Sequence, residues 1–376
     1  MSRLPTFGRN CRSSFASLEH EPPNWLLAKV LYSVLTVVVL ASGGTAAEAA
    51  VGKLGIIGDS ISQATHADDD CGALDTYECL EVKLDRPDPG YSFAGGDQSW
   101  SLRNVLGHDG LVDASRNGAK WRDAPQQARD IMLDADVRAV LVHMGSNDVC
   151  HPLDGTPPTL ENLEANIDAT LGHLTDKLPP GGVVFVAGLV DIVQLRDLMA
   201  QRDRHEVFEN CQALWDLDFS RVKDSAIEDV CAHFFGSGCS SSVPSFFLER
   251  SYRALAFLYD SLGDASVLGV EGSCGNILNS ESGPFDRQMA RSFNVALNEL
   301  MRRKANAYAG RNGVRVQFLG GLYEEQLLVE DVSTLDCFHP SRSGQRHIAE
   351  VLGLPILTRR RAIQQLPIIL DLLDSN

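Results

Sequence analysis

The chain has 376 residues, of which 44% are hydrophobic and 22% charged, enough apolar material for one large buried core or two ordinary ones. Asp and Glu number 50 against 33 Lys and Arg, for a net charge of −17. Phosphate binding needs concentrated Lys and Arg, so this balance excludes a nucleic-acid partner held by a basic surface.

At the N-terminus, Arg3, Arg9, Arg12 and Lys29 precede an apolar run from Val30 to Ala41, followed by SGGTAAEAA with Ala47-Glu48-Ala49 as an A-x-A site. A basic region, a short apolar core and small residues, in that order, make a secretory signal. The pattern predicts a removed segment over residues 1–49, a folded part over 50–376 and a secreted or extracytoplasmic protein. The apolar run is short for a bilayer span, so an uncleaved anchor is the alternative. Membrane contact is then expected only through that segment or through a lipid substrate. Cysteine usage agrees with export. Cys11 lies in the segment to be removed, and the remaining eight (Cys71, Cys79, Cys150, Cys211, Cys231, Cys239, Cys274 and Cys337) favour disulfides of open connectivity. No CxxC spacing points to zinc.

From Val51 onward, short apolar runs alternate with longer helical patterns. Leu54–Ile57, Ala139–Met144, Val183–Leu189 and Val314–Leu319 are rich in Val, Ile and Leu, and Leu111–Ala114 is a weaker fifth. Continuous apolar runs of this length suit parallel strands buried on both faces. Between them, Leu160–Leu178 carries Leu163, Ile167, Leu171 and Leu174 at three- and four-residue spacing, with Thr159 placed to cap it and Pro179-Pro180 to stop it. Phe285–Tyr308 is a second amphipathic stretch. Strand–helix alternation with right-handed crossovers predicts a three-layer α/β/α sandwich on a parallel sheet of about five strands. Two regions depart from it: a loop rich in Asp, Gly and Pro over 62–97, and a cysteine-rich insertion over about 210–283 that reads as a lid or a stapled surface excursion.

Four short blocks hold the candidate chemistry. Gly58-Asp59-Ser60 follows the first apolar run, which places Ser60 at the carboxyl end of a strand, where open α/β sheets build their sites. A helix starting there would aim backbone amides at a developing anion. Gly118, in Ser115-Arg116-Asn117-Gly118, offers a backbone amide, and Asn147, in Gly145-Ser146-Asn147-Asp148, a side-chain amide. Asp336 and His339 are three apart in Asp336-Cys337-Phe338-His339-Pro340, with Pro340 placed to open the next helix and His339 near its N-cap. A serine hydroxyl is a poor nucleophile near neutral pH. It needs an imidazole to take its proton and a carboxylate to orient that imidazole. The tetrahedral intermediate of acyl transfer needs donors for its oxyanion. Other polar residues read as structural. His143 lies within a strand as a core residue, His347 faces solvent, and Asp68-Asp69-Asp70 beside His66 forms a solvated acidic loop without EF-hand spacing.

In this order the four blocks resemble the SGNH (GDSL-type) hydrolase family, from about Leu54 to Gly353. Asn147-Asp148-Val149-Cys150, Val190-Asp191-Ile192-Val193 and Asp336-Cys337-Phe338-His339 are similar to its phospholipase B-like branch. The resemblance implies a flavodoxin-like sandwich that hydrolyses carboxylic esters with no metal or other cofactor. Carried over by motif, Ser60 is the expected nucleophile, His339 the base and Asp336 the orienting acid, with Ser60, Gly118 and Asn147 as oxyanion donors. Ile61 stands where the common spelling has Leu, and Ser62 stands where a lipase-type G-x-S-x-G elbow has its second glycine. The expected activity is an exported serine esterase acting on lipid or phospholipid acyl esters. The alternatives are a carbohydrate O-acetyl esterase of the same fold and a non-catalytic binding protein on the same scaffold.

Overall fold

A computed structural model of the protein describes residues 52–68, 87–150, 159–200, 202, 211–215, 274–278, 280 and 282–374, with side chains of the last helix placed to residue 358. Residues 47–361 form one compact unit, and the described residues beyond Arg361 belong to a second. The segment over 1–49, most of the insertion over 210–283, and Cys71, Cys79, Cys231 and Cys239 lie outside the described residues.

Five strands form one parallel sheet: β1 (Lys53–Gly58), β2 (Gly110–Asp113), β3 (Val137–His143), β4 (Val183–Ala187) and β5 (Arg315–Leu319). Their order is β2-β1-β3-β4-β5, that of flavodoxin-like sheets, and chain order reverses between β1 and β3. Each predicted strand is present within three residues of its expected ends.

The sheet is covered on both faces because successive side chains of a strand point to opposite sides. Ile57, Val140, Val142, Val184 and Val186 join one apolar layer with α2 (Ala124–Ile131), α4 (Leu160–Lys177) and α8 (Pro284–Tyr308). Leu54, Ile56, Ala139, Leu141 and Phe185 join the other, with α1 (Leu102–Leu106) and the first turns of α10 (Arg342–Asp374). The result is the three-layer α/β/α sandwich that the alternation of runs predicted. Helix α4 starts where Thr159 Oγ1 accepts from the Asn162 amide at 3.2 Å.

Short helices complete the carboxyl edge: α3 (Ser146–Cys150), α5 (Gln194–Met199), α6 (Cys211–Trp215), α7 (Gly275–Leu278) and α9 (Gly321–Glu324). Disulfides Cys150–Cys274 and Cys211–Cys337 tie the end of α3 to α7 and α6 to the loop before α10. No helix among the described residues is long and apolar enough to cross a membrane.

Candidate active site

Strand β1 ends at Gly58, which pairs with His143 of β3, so the chain segments leaving these two strands emerge side by side. Buried Gln127 of α2 holds this end: its Oε1 accepts from the Gly58 amide at 2.8 Å and its Nε2 donates to the Gly58 carbonyl at 3.0 Å. A Cβ on Gly58 would lie 2.1 Å from Ser62 Oγ, so the close approach of the next turn requires glycine. Asp59 Oδ1 accepts from the Ile61 amide at 3.0 Å, and the Thr65 amide donates to the Ser60 carbonyl at 3.0 Å. No helix starts directly after Ser60 to aim amides at an anion. Residues 60–66 make a compact turn in which Ala64 and His66 hold φ of 56° and 59°, a left-handed conformation that an α-helix cannot continue through.

The Gly118 loop is fastened to this turn. Gln63 Nε2 donates to the Ser115 carbonyl and Thr65 Oγ1 to Asn117 Oδ1, both at 2.8 Å. Gly118 follows with φ of 69°, the left-handed region that favours glycine. Asn147, in the first turn of α3, donates one side-chain N–H to the Ala119 carbonyl at 3.1 Å. A primary amide carries two hydrogens, so the second remains for another acceptor. The next residue strengthens the same junction, as Asp148 Oδ2 accepts from the Trp121 amide at 2.9 Å.

Asp336 and His339 meet through Oδ2 and Nδ1, the closest side-chain pair of the site. Asp336 Oδ1 accepts from the amides of Phe338 and His339 at 3.0 and 3.1 Å, which is why a spacing of three brings carboxylate and imidazole together. Between them Cys337, at φ 58°, turns the chain and is anchored by its disulfide to Cys211. Pro340 does not open the helix. It pairs with Val332 in an antiparallel bridge, and Ser341 caps α10 by accepting from the Gly344 amide at 3.2 Å. His339 therefore stands in the loop, held by the Ser333 amide donating to its carbonyl at 2.8 Å.

A second histidine joins this pair. His66, 1% exposed, places Nδ1 2.6 Å from Asp336 Oδ2, and its ring stands edge-on to that of His339 with centroids 5.2 Å apart. The sequence marks His66 only as the neighbour of an acidic run, because its partner lies 270 positions away. Of that run, Asp68 pairs with Arg342, while Asp69 and Asp70 lie outside the described residues. The donor atoms of His66, Asp336 and His339 lie within 4.8 Å of one another. Hydrogen bonds among the three account for that clustering.

Ser60, Asn147, Asp336 and His339 are all nearly buried, each exposing less than a tenth of its surface. His339 Nε2 is buried without a hydrogen-bond partner, so Ser60 and His339 are not hydrogen-bonded to each other. Such contacts are often loose before substrate arrives.

Burial pushes the Asp336 carboxyl up, but the charges and hydrogen bonds of His339 and His66 outweigh it and hold the group well below the usual carboxylate range. Asp59 behaves oppositely: burial pushes it up to about 7, against the Ile61 amide and with help from Asp148. Burial likewise pushes Asp148 up to about 6 despite the Trp121 amide. His143 is the core residue expected, brought down to about 4 by burial. His347, expected to face solvent, is half-buried: its ring bridges Asp331 Oδ2 at 2.7 Å and Glu325 Oε1 at 3.1 Å.

No family model matches the chain, and no curated protein matches it. Among solved structures it is similar to an α/β hydrolase enzyme from the metagenome of Lake Arreo, Spain, at 15% identity over 81% of this chain and 94% of that one, with a TM-score of 0.38. It is also similar to a GDSL-like lipase from Parabacteroides merdae, at 14% identity over 66% of this chain and 96% of that one, with a TM-score of 0.26. At these TM-scores the functional reading rests on the site itself.

Proposed function

We propose that the protein is a serine esterase that cleaves carboxylic esters through an acyl-enzyme, without a metal. The observation that carries this reading is the Asp336–His339 pair. An ionised carboxylate accepts from Nδ1–H, which leaves the lone pair on Nε2, the nitrogen without a partner, to act as base. Ser60 Oγ attacks the ester carbonyl while His339 Nε2 takes its proton. The oxyanion is received by the amides of Ser60 and Gly118 and by the second N–H of Asn147. His339 then returns the proton to the leaving alcohol. Water, activated by the same imidazole, releases the acid and frees Ser60.

The substrate is an ester of an apolar acyl chain. Supporting this, a mainly apolar cleft is lined by Ile61, Val190, Ile192, Leu195, Leu327 and Phe338 together with Glu325, Asp331 and His347, and it takes in Ile61 and Phe338, the chain neighbours of Ser60 and His339. The protein is exported. Two disulfides and the basic, apolar and small-residue order of its first fifty residues support that assignment.

A fluorophosphonate probe tests the nucleophile. It should form one stable adduct, mapped by mass spectrometry to the peptide carrying Ser60. An intact, folded chain that stays unlabelled would instead favour a binding protein on this scaffold.

A further inference from the structure

We infer that His66 is a positioning residue of the proposed hydrolysis: it is the second donor on Asp336 and registers the turn of Ser60 against the loop of His339. The inference rests on the serine-esterase reading above and extends it by one residue that the four sequence blocks do not contain.

The geometry is that of a carboxylate held on every side. Asp336 Oδ1 accepts from the Phe338 and His339 amides, and Oδ2 from His339 Nδ1 and His66 Nδ1. A carboxylate offers about four acceptor directions, and all four are taken. An ionised carboxylate carries no hydrogen, so both imidazoles donate through Nδ1–H. Of these four donors, three come from Asp336's own loop and would hold the carboxylate wherever that loop went. His66 alone reaches it from across the site.

Its place in the chain gives that fourth bond a function. His66 ends the turn that Ser60 begins, and the turn is closed on itself by the Thr65 amide on the Ser60 carbonyl at 3.0 Å and the Ala64 amide on the Ile61 carbonyl at 3.1 Å. Ser60 and His66 therefore move as one piece. Ser60 makes no direct bond to His339, so His66–Asp336 is a side-chain link between the nucleophile's turn and the acid–base loop. Gln345 of α10, the helix that follows that loop, also donates to this turn, from Nε2 to the Ile61 carbonyl at 2.9 Å. Two charge-assisted donors on one oxygen also fix the plane of the carboxylate, and with it the ring of His339. His66 holds a left-handed backbone, costly for a residue with a Cβ, and is buried with its ring against Asp336.

The test measures p-nitrophenyl butyrate hydrolysis by the full chain and by His66→Asn, His66→Gln, His66→Phe, Asp336→Asn, His66→Phe/Asp336→Asn and Ser60→Ala, with each fold checked by circular dichroism. The Asn side-chain nitrogen occupies the place of Nδ1, whereas that of Gln falls where Nε2 was. His66→Gln and His66→Phe should lose about 10- to 100-fold in kcat with little change in KM, the scale of one hydrogen bond to a charged group. His66→Asn should recover most of that loss. In the Asp336→Asn background, adding His66→Phe should cost less than about twofold, because the residue acts through Asp336. If His66→Phe does not fold, the contrast between Asn and Gln decides alone. Equal rates for all three single His66 variants and the wild type would overturn the inference, as would a loss that persists undiminished without Asp336. Turnover that survives Ser60→Ala would overturn the serine-esterase reading itself, a result separate from either.

Discussion

Thr65 donates its hydroxyl to the Asn117 side-chain oxygen across 2.8 Å, which joins the turn that begins at Ser60 to the loop that ends at Gly118. Two proposed oxyanion donors, the amides of Ser60 and Gly118, thus belong to one hydrogen-bonded unit. Thr65→Val keeps the shape of the side chain and removes the donor. We expect kcat to fall about 3- to 10-fold with a small drop in Tm, the scale of one neutral hydrogen bond. An unchanged kcat would mean that the loop holds its place without this bond.

Asn147 is the third proposed donor, and its first N–H is already spent on the Ala119 carbonyl. Asn147→Ala removes both. Loss of one oxyanion donor costs about 10²- to 10³-fold in kcat. KM should change far less, since the interaction forms in the transition state. A rise in KM at constant kcat would place Asn147 in substrate binding.

Stability should carry the mark of the buried carboxyls. Asp59 and Asp148 have folded pKa values near 7 and 6, above the ordinary value near 4, so the folded state keeps protons that the unfolded chain has released. Their contribution is fully present below about pH 4 and is lost as pH rises through about 6 and 7, at up to about 1.4 kcal/mol per pH unit for each group. His143 runs the other way: with a folded value near 4, it stabilises above about pH 6.5 and loses that contribution as pH falls. The trends oppose each other between about pH 4 and 6.5, so a variant must separate them. Asp59→Asn keeps the Oδ1 acceptor for the Ile61 amide and removes the charge. Its Tm relative to wild type should be higher at pH 8 than at pH 5; the same difference at both would exclude a charged Asp59 as a source of strain.

The Cys211–Cys337 bond anchors the residue between Asp336 and His339. Mild reduction should lower ester turnover while far-ultraviolet circular dichroism is still native, because the loop loosens before the sandwich unfolds. Replacing both cysteines by Ala should reproduce the loss and lower Tm, since the bridge closes residues 126 apart. Full turnover with all thiols free would show that the loop is held by its hydrogen bonds.

What was legible in the sequence follows from which interactions are local. Leu54 to Ile57 and Ala139 to Val142 announce buried parallel strands because their apolar runs are not interrupted by alternating polar residues, and strand–helix alternation announces the layered class. Ser60, Gly118 and Asn147 follow β1, β2 and β3 within a few residues, so an apolar run places their blocks, whereas Asp336 and His339 lie well beyond β5 and only their spacing of three marks them. The turn after Ser60 agrees with a loop from residue 62, but nothing in Ile61 to Thr65 marks Ala64 and His66 as left-handed. His66 and the disulfide partners were hidden for a simpler reason. Their contacts span 124 to 270 positions, and no periodicity or spacing reports a contact of that length. His347 was assigned to solvent because its acidic partners Asp331 and Glu325 lie on another segment.

The central claim is that Ser60 is an esterase nucleophile, and the most direct measurement is hydrolysis of p-nitrophenyl acetate, butyrate and palmitate by the wild-type chain beside Ser60→Ala. Turnover by the wild type that rises with acyl length and is abolished in the variant is the predicted result. Turnover that survives Ser60→Ala, or a folded wild type inert on all three esters, would contradict it.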